Sequence, residues 1–137
     1  DYNTPPTYEV LQKIGVMAEM KQNFILVKSN DESVLRKALD RAGKKLVIYK
    51  QCIEGGASFQ LVNYDVSLDP HASSPFQFTE LQGVESRYTL AEPYEILQHK
   101  RTGSVYIFEE ELDAIIGVIS WEQLRKRLTK GSLEGPE

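Results

Sequence analysis

One run constrains this chain more than any other: Ala114-Ile115-Ile116-Gly117-Val118-Ile119-Ser120-Trp121-Glu122-Gln123-Leu124-Arg125-Lys126-Arg127-Leu128. Its first half is a short, almost continuous apolar stretch, the pattern of a strand buried on both faces. Its second half places Trp121, Leu124 and Leu128 at helical spacing, with cations gathering toward the end. The strand ends and the helix begins at Ser120. A weaker counterpart lies 58 residues upstream, at Phe59-Gln60-Leu61-Val62-Asn63-Tyr64-Asp65-Val66. The pairing predicts one small α/β unit built twice.

The flanking elements repeat in the same order. Phe24 to Val27 predicts a strand. Ser29 with Glu32 reads as a capping box opening a helix to about Ala42, with Val34, Leu35, Ala38 and Leu39 as its buried stripe and Gly43 as its cap. Leu46 to Tyr49 and Phe59 to Val62 predict a hairpin, joined through Gly55-Gly56 by a long or bulged turn. Residues 67–83 hold Pro70, Pro75 and Ser73-Ser74 and read as a connector, with a weak strand at Leu81–Val84. Thr89 with Glu92 is a second capping-box pattern, and Pro93 suggests a helix starting at Glu92. Val105 to Phe108 and Ile115 to Ile119 are the second pair of strands, and Gly131 is expected to cap the last helix. At one gapless offset Leu39 falls on Leu97, Val47 on Val105, Leu61 on Ile119 and Asp65 on Gln123. The alternative is a single α+β domain whose halves look alike by chance.

The chain of 137 residues has room for one ordinary domain or two very small ones. Its net charge of −4 argues against a general nucleic-acid surface, and no nucleic-acid partner is expected. The single Cys52 excludes an internal disulfide and suits a reducing compartment, where it reads as a small apolar filler. No apolar run reaches the roughly 18 residues of a spanning helix. The opening Asp1-Tyr2-Asn3-Thr4-Pro5-Pro6-Thr7 reads as a linker, so the chain is expected to be a piece of a longer protein. Val10, Leu11, Ile14 and Met17 then predict an amphipathic helix within 7–20, ended or loosened by Gly15.

The order strand–helix–strand–strand–helix, with a hairpin entering a helix through Gly117-Val118-Ile119-Ser120, resembles a CBS domain. Ile14-Gly15-Val16-Met17-Ala18-Glu19-Met20 resembles the Val-x-x-x-Met stretch that commonly opens the first CBS domain. Two such units resemble the tandem CBS pair, or Bateman module. The resemblance implies an α+β fold of two CBS-like units, each a small sheet with two helices, related by an internal pseudo-twofold. The expected bounds are an N-terminal segment at 1–13, units at 14–72 and 81–131, a connector at 73–80 and a tail at 132–137. It also implies a regulatory or dimerisation module, not an enzyme, on the cytoplasmic side of a larger membrane protein. A ClC-type chloride channel or transporter is the leading parent, with a magnesium transporter or a metabolic enzyme as alternatives. A homodimer and contact with the membrane-embedded part of the same polypeptide follow from that reading. No cofactor is required by it, and ATP, ADP or AMP is the expected ligand class.

In the family pattern a strand ends in Gly-hydrophobic-hydrophobic-Ser/Thr-x-x-Asp, with the hydroxyl toward phosphate and the aspartate toward ribose. Here Ser120 is present but Gln123 replaces the aspartate. Upstream, Asp65 is present but Val62 and Phe59 replace the hydroxyl and the glycine. Ser120, Gln123 and Asp65 are therefore the candidate nucleotide contacts. Ser120 reads first as a plain N-cap, a role that can coexist with a phosphate contact. Trp121, Leu124 and Leu128 are the candidate interface residues, with core packing as the alternative. The acidic turn Glu109-Glu110-Glu111 with Asp113 lacks the ligand spacing of a calcium loop, and His71, His99 and Cys52 stand apart. No metal site and no catalytic set is expected.

Overall fold

The computed structural model describes residues 6–65 and 74–133. The chain forms two compact units. One is continuous, Asn23–Leu81, and the other is composite, made of Asp1–Gln22 and Gln82–Glu137. The mixed α+β class and the repeated element order are both present.

Two helices, α1 (Pro6–Lys13) and α2 (Val16–Glu19), come first in the chain, and the continuous unit then holds β1 (Phe24–Val27), α3 (Glu32–Ala42), β2 (Leu46–Ile53), β3 (Gly56–Tyr64) and β4 (Phe76–Glu80). Its sheet runs β1-β2-β3-β4. The β1–β2 pair is parallel, so α3 supplies the crossover that a parallel pair needs. Leu35, Ala38 and Ala42 of the helix pack with Val27, Val47, Val62 and Phe76 of the sheet to form the core. Val34 of the expected stripe lies outside it, 38% exposed.

The composite unit holds α1 (Pro6–Lys13), α2 (Val16–Glu19), β5 (Gln82–Glu85), α4 (Ala91–Leu97), β6 (Ser104–Phe108), β7 (Ile115–Ser120) and α5 (Trp121–Leu133). Its sheet is β5-β6-β7, again a parallel pair followed by an antiparallel one. Leu11 and Val16 share its core with Val84, Leu90, Leu97, Val105, Ile107, Ile119 and Leu124. Contacts therefore cut the chain differently from the linear bounds read from sequence. The segment up to Gln22 groups with the stretch from Gln82 onward because Leu11 and Val16 fill its core.

Several local expectations are corrected. The stretch read as linker is helical from Pro6, because Leu11 finds a fully buried seat. Gly15, extended at φ −72 and ψ 147, separates α1 from α2, in line with its expected role of ending or loosening the first helix. Asp31 and not Ser29 caps α3, accepting from the Ser33 amide at 3.1 Å. The β2–β3 turn is tight: Ile53 pairs with Gly56, leaving only Glu54 and Gly55, and Gly55 takes φ 86. The connector contains β4, whose five residues complete a ladder on β3. The Thr89–Glu92 capping box does not form; α4 begins at Ala91 without a side-chain cap, and Pro93 is buried. Gly131 does not stop α5, which runs to Leu133. Cys52 is exposed and fills no core. The expected second helix of the first repeat would follow Tyr64 and, like His71, falls outside the described residues.

The gapless 58-residue offset holds for order and not for register. It carries Ile48 and Leu61, which pair, onto Tyr106 and Ile119. Ile119 instead pairs with Val105. One ladder has slipped a residue relative to the other, and the β6–β7 ladder is irregular between Ile107 and Phe108.

Candidate functional site

The strand-to-helix junction of the composite unit is built from the bottom by reciprocal capping. Ser120 ends β7, and its Oγ accepts from the Gln123 backbone N–H at 3.2 Å. The Gln123 side-chain Oε1 accepts from the Ser120 N–H at 2.9 Å. This is a Ser-x-x-Gln capping box, and it satisfies two donors that a helix start otherwise leaves open. The spacing was legible in the sequence. Gln123 matches the glutamine form of the box at the same position where it departs from the aspartate of the nucleotide pattern.

The other end of the Gln123 amide explains why a glutamine suits this position. Its Nε2 donates to the Glu19 backbone carbonyl at 2.9 Å and lies 3.4 Å from Glu19 Oε2. A carboxylate at position 123 has no proton to offer there. Arg127, one helical turn further along α5, forms an ion pair with Glu19 Oε1. The Glu19 side chain is only 16% exposed and the Arg127 side chain 40%. The end of α2 is thus fastened to the first two turns of α5.

The residues after Glu19 extend the attachment along β7. Met20 lies over Gly117, where an added Cβ would come within 2.5 Å of the Met20 sulfur. A strand glycine here marks a close approach by another segment. Lys21 and Val118 exchange both backbone hydrogen bonds, each at 2.9 Å. Gln22 Nε2 reaches the Ile116 carbonyl at 3.3 Å. Nothing in the local sequence signals these contacts, because the partners lie about a hundred residues apart.

Around the fastening is a cleft of about 230 Å³ lined by Glu19, Lys21, Gln123, Lys126 and Arg127. It holds three cationic side chains and one carboxylate. Arg125 is occupied elsewhere, paired with Glu122 on the exposed side of α5. That pairing holds the Glu122 carboxyl below its ordinary range, through the hydrogen bond from Arg125.

The other candidate residues are distributed differently. Asp65 lies in the continuous unit, half-buried at the end of the described run, and its N–H donates to the Pro75 carbonyl at 3.0 Å. Val62, at the position of the missing hydroxyl, is a core residue. Of the interface candidates, Leu124 is fully buried in the composite unit's own core and has no surface to present. Trp121 and Leu128 are half-buried against the same core. Trp121 packs on Tyr94 at 5.7 Å between ring centroids, and Tyr94 meets Tyr8 of α1 edge-on at 5.9 Å. Sequence reasoning missed α1 as the neighbour of this aromatic row. Tyr8 Oη donates to Glu95 Oε1 at 2.9 Å, which raises the Tyr8 pKa above its ordinary value. Among the described residues, no group of three or more His, Cys, Asp or Glu side chains is placed to hold a metal ion. No helix among them is long and apolar enough to cross a membrane.

No protein-family model and no curated protein matches the chain. Solved structures do. An uncharacterized conserved protein from Pyrococcus horikoshii is 16% identical, with a TM-score of 0.57 over 92% of this chain and 97% of that one. A CBS-domain pair with bound AMP from Klebsiella pneumoniae is 15% identical, with a TM-score of 0.60 over 85% of this chain and 99% of its own. The CBS domain of the bacterial CNNM/CorC family Mg²⁺ transporter, in complex with ATP, is 13% identical, with a TM-score of 0.59 over 90% and 92%. The transporter named among these neighbours is a magnesium transporter. Identities this low establish architecture alone, and on that ground the chain has the fold of a tandem CBS-domain pair.

Proposed function

We propose that this chain is a non-catalytic regulatory module of a larger protein, and that an adenine nucleotide is its effector. The observation that carries the reading is the fold match, nearly end to end, with a CBS pair that holds AMP. A similar match to a transporter CBS domain in complex with ATP points the same way. The parent is best read as a membrane transporter, with the magnesium class now ahead of the ClC chloride class. The module then sits on the cytoplasmic side as a homodimer, next to the membrane-embedded part of the same polypeptide. Ser120 and Gln123 would meet the nucleotide in the composite unit, and Asp65 in the continuous one. The fit is incomplete: Ser120 and Gln123 already satisfy each other, and Gln123 carries no charge. Regulation then follows from linkage. The nucleotide shifts the parent's equilibrium by its differential affinity for two arrangements of the module.

A thermal-shift titration of the chain with AMP, ADP and ATP tests this. A ligand that binds only the folded state raises the melting point with concentration, by about 2.7 kcal/mol of stabilisation at a hundredfold excess over Kd. A melting point that stays put at millimolar nucleotide overturns the effector assignment.

One observation favours a second reading, a constitutive assembly domain. Gln123, the position expected to read a ribose, bonds entirely within the chain. Sedimentation decides for that reading if the chain is dimeric while the nucleotide titrations are flat.

A further inference from the structure

The cleft beside Gln123 contains more positive charge than the fold needs. Lys21, Lys126 and Arg127 face a single carboxylate, Glu19. Only Arg127 pairs with it, and neither lysine is in an ion pair among the described residues. The Glu19 carboxylate is the most buried charged group of any ion pair described. It takes one contact from the Gln123 amide and one from the Arg127 guanidinium. Those two donors also suit a phosphate oxygen, and charge-assisted bonds from a guanidinium are the strong ones for either anion. Clustering three cations costs stability through self-repulsion unless an anion sits among them, and Glu19 cancels only one of the three charges.

We infer that this cleft is a phosphate-binding site which Glu19 occupies as a tethered stand-in, so that an entering phosphate group must displace the Glu19 carboxylate. The Glu19 backbone carbonyl keeps its bond to Gln123 when the side chain leaves, so α2 stays in place while its carboxylate swings out. Lys21 and Lys126 supply charge that Glu19 leaves unused. The identity of the ligand as a nucleotide rests on the reading above, whereas the anion site itself does not.

The test is calorimetric titration of the chain with inorganic pyrophosphate and, separately, with ATP, at fixed ionic strength. Glu19→Gln keeps the shape and the hydrogen-bond acceptor but removes the competing charge. Its expected effect is pyrophosphate binding about two- to fivefold tighter than in the unsubstituted chain, the scale of one partly exposed ion pair. Lys126→Ala, an exposed change that leaves the fastening intact, is expected to weaken binding about threefold or more. Equal pyrophosphate affinity in Glu19→Gln and the unsubstituted chain, or no binding to either, overturns the inference. An unchanged affinity in Lys126→Ala overturns the location. Tighter pyrophosphate binding with no heat from ATP keeps the anion site and removes the nucleotide reading. ATP binding that Glu19→Gln leaves unaltered does the reverse.

Discussion

The two units close the same edge of their sheets by different means. In the continuous unit, β4 runs alongside β3 from Gln60–Glu80 to Tyr64–Phe76, a five-pair backbone ladder. In the composite unit, the corresponding edge of β7 receives one bridge, Lys21–Val118. Side chains complete that closure: Met20 over Gly117, Gln22 on the Ile116 carbonyl, and Glu19 held by Gln123 and Arg127. Opposite Ile107, Gly117 takes the place that Gln60 takes opposite Tyr49. The continuous unit sets a side chain of its own strand there, bonded to Gln51, and the composite unit leaves the place to a methionine from a distant segment. A closure made of side chains can respond to a ligand in ways a backbone ladder cannot, because rotamers change at far lower cost than strand pairing.

The largest expected effects come from β3 and β7 themselves. Phe59→Ala leaves a cavity at a fully buried site and is expected to cost about 3–5 kcal/mol in denaturant unfolding. Gly117→Ala forces a Cβ into Met20 and is expected to cost about 1–3 kcal/mol. Adding Met20→Ala to Gly117→Ala should recover part of that loss. A loss that Met20→Ala leaves untouched would break the contrast between the two units.

A smaller effect is expected at the fastening. Gln123→Asp removes the donor to Glu19 and sets two carboxylates together. The expected cost is about 1–2 kcal/mol, with part of it restored by Glu19→Gln. Full stability in Gln123→Asp would show that the Glu19 contact holds nothing in place.

The smallest effect is at Tyr8. The bond to Glu95 raises its folded pKa, so the neutral phenol is the favoured form in the fold. Its contribution is present below the unfolded value near 10 and is lost as pH rises through the folded value. Tyr8→Phe should therefore lower stability slightly at neutral pH and flatten this loss above pH ~10. Identical alkaline melting profiles for the two proteins would contradict it.

Much of the fold was legible because burial writes a period into the sequence. The strands at Phe24, Leu46, Val105 and Ile115 and the helix Glu32–Ala42 follow from apolar spacing, and their order revealed the repeat. The Phe76-Gln77-Phe78-Thr79 alternation of β4 was present too, but prolines and paired serines nearby made the stretch read as a connector. Ser29 lost the cap to Asp31 because two residues in one turn carried suitable oxygens and only backbone geometry chose between them. At the candidate site, Ser120 and Gln123 were found as positions. Their capping box went unread beside the nucleotide pattern that shares those positions. Trp121 and Leu128 were located, but Tyr94 of α4 against Trp121, and Tyr8 of α1 against Tyr94, were not.

By itself the sequence determined which segments bury a face, where they begin and end to within a few residues, and that the series occurs twice. Those properties are local, because each depends on residues within one or two turns or along one strand. Tertiary structure decided that Leu11 and Val16 complete the core of the stretch from Gln82 onward, that Gly117 makes room for Met20, and that Gln123 serves Glu19. Each of these joins groups about a hundred residues apart, and no period or spacing along the chain encodes such a meeting.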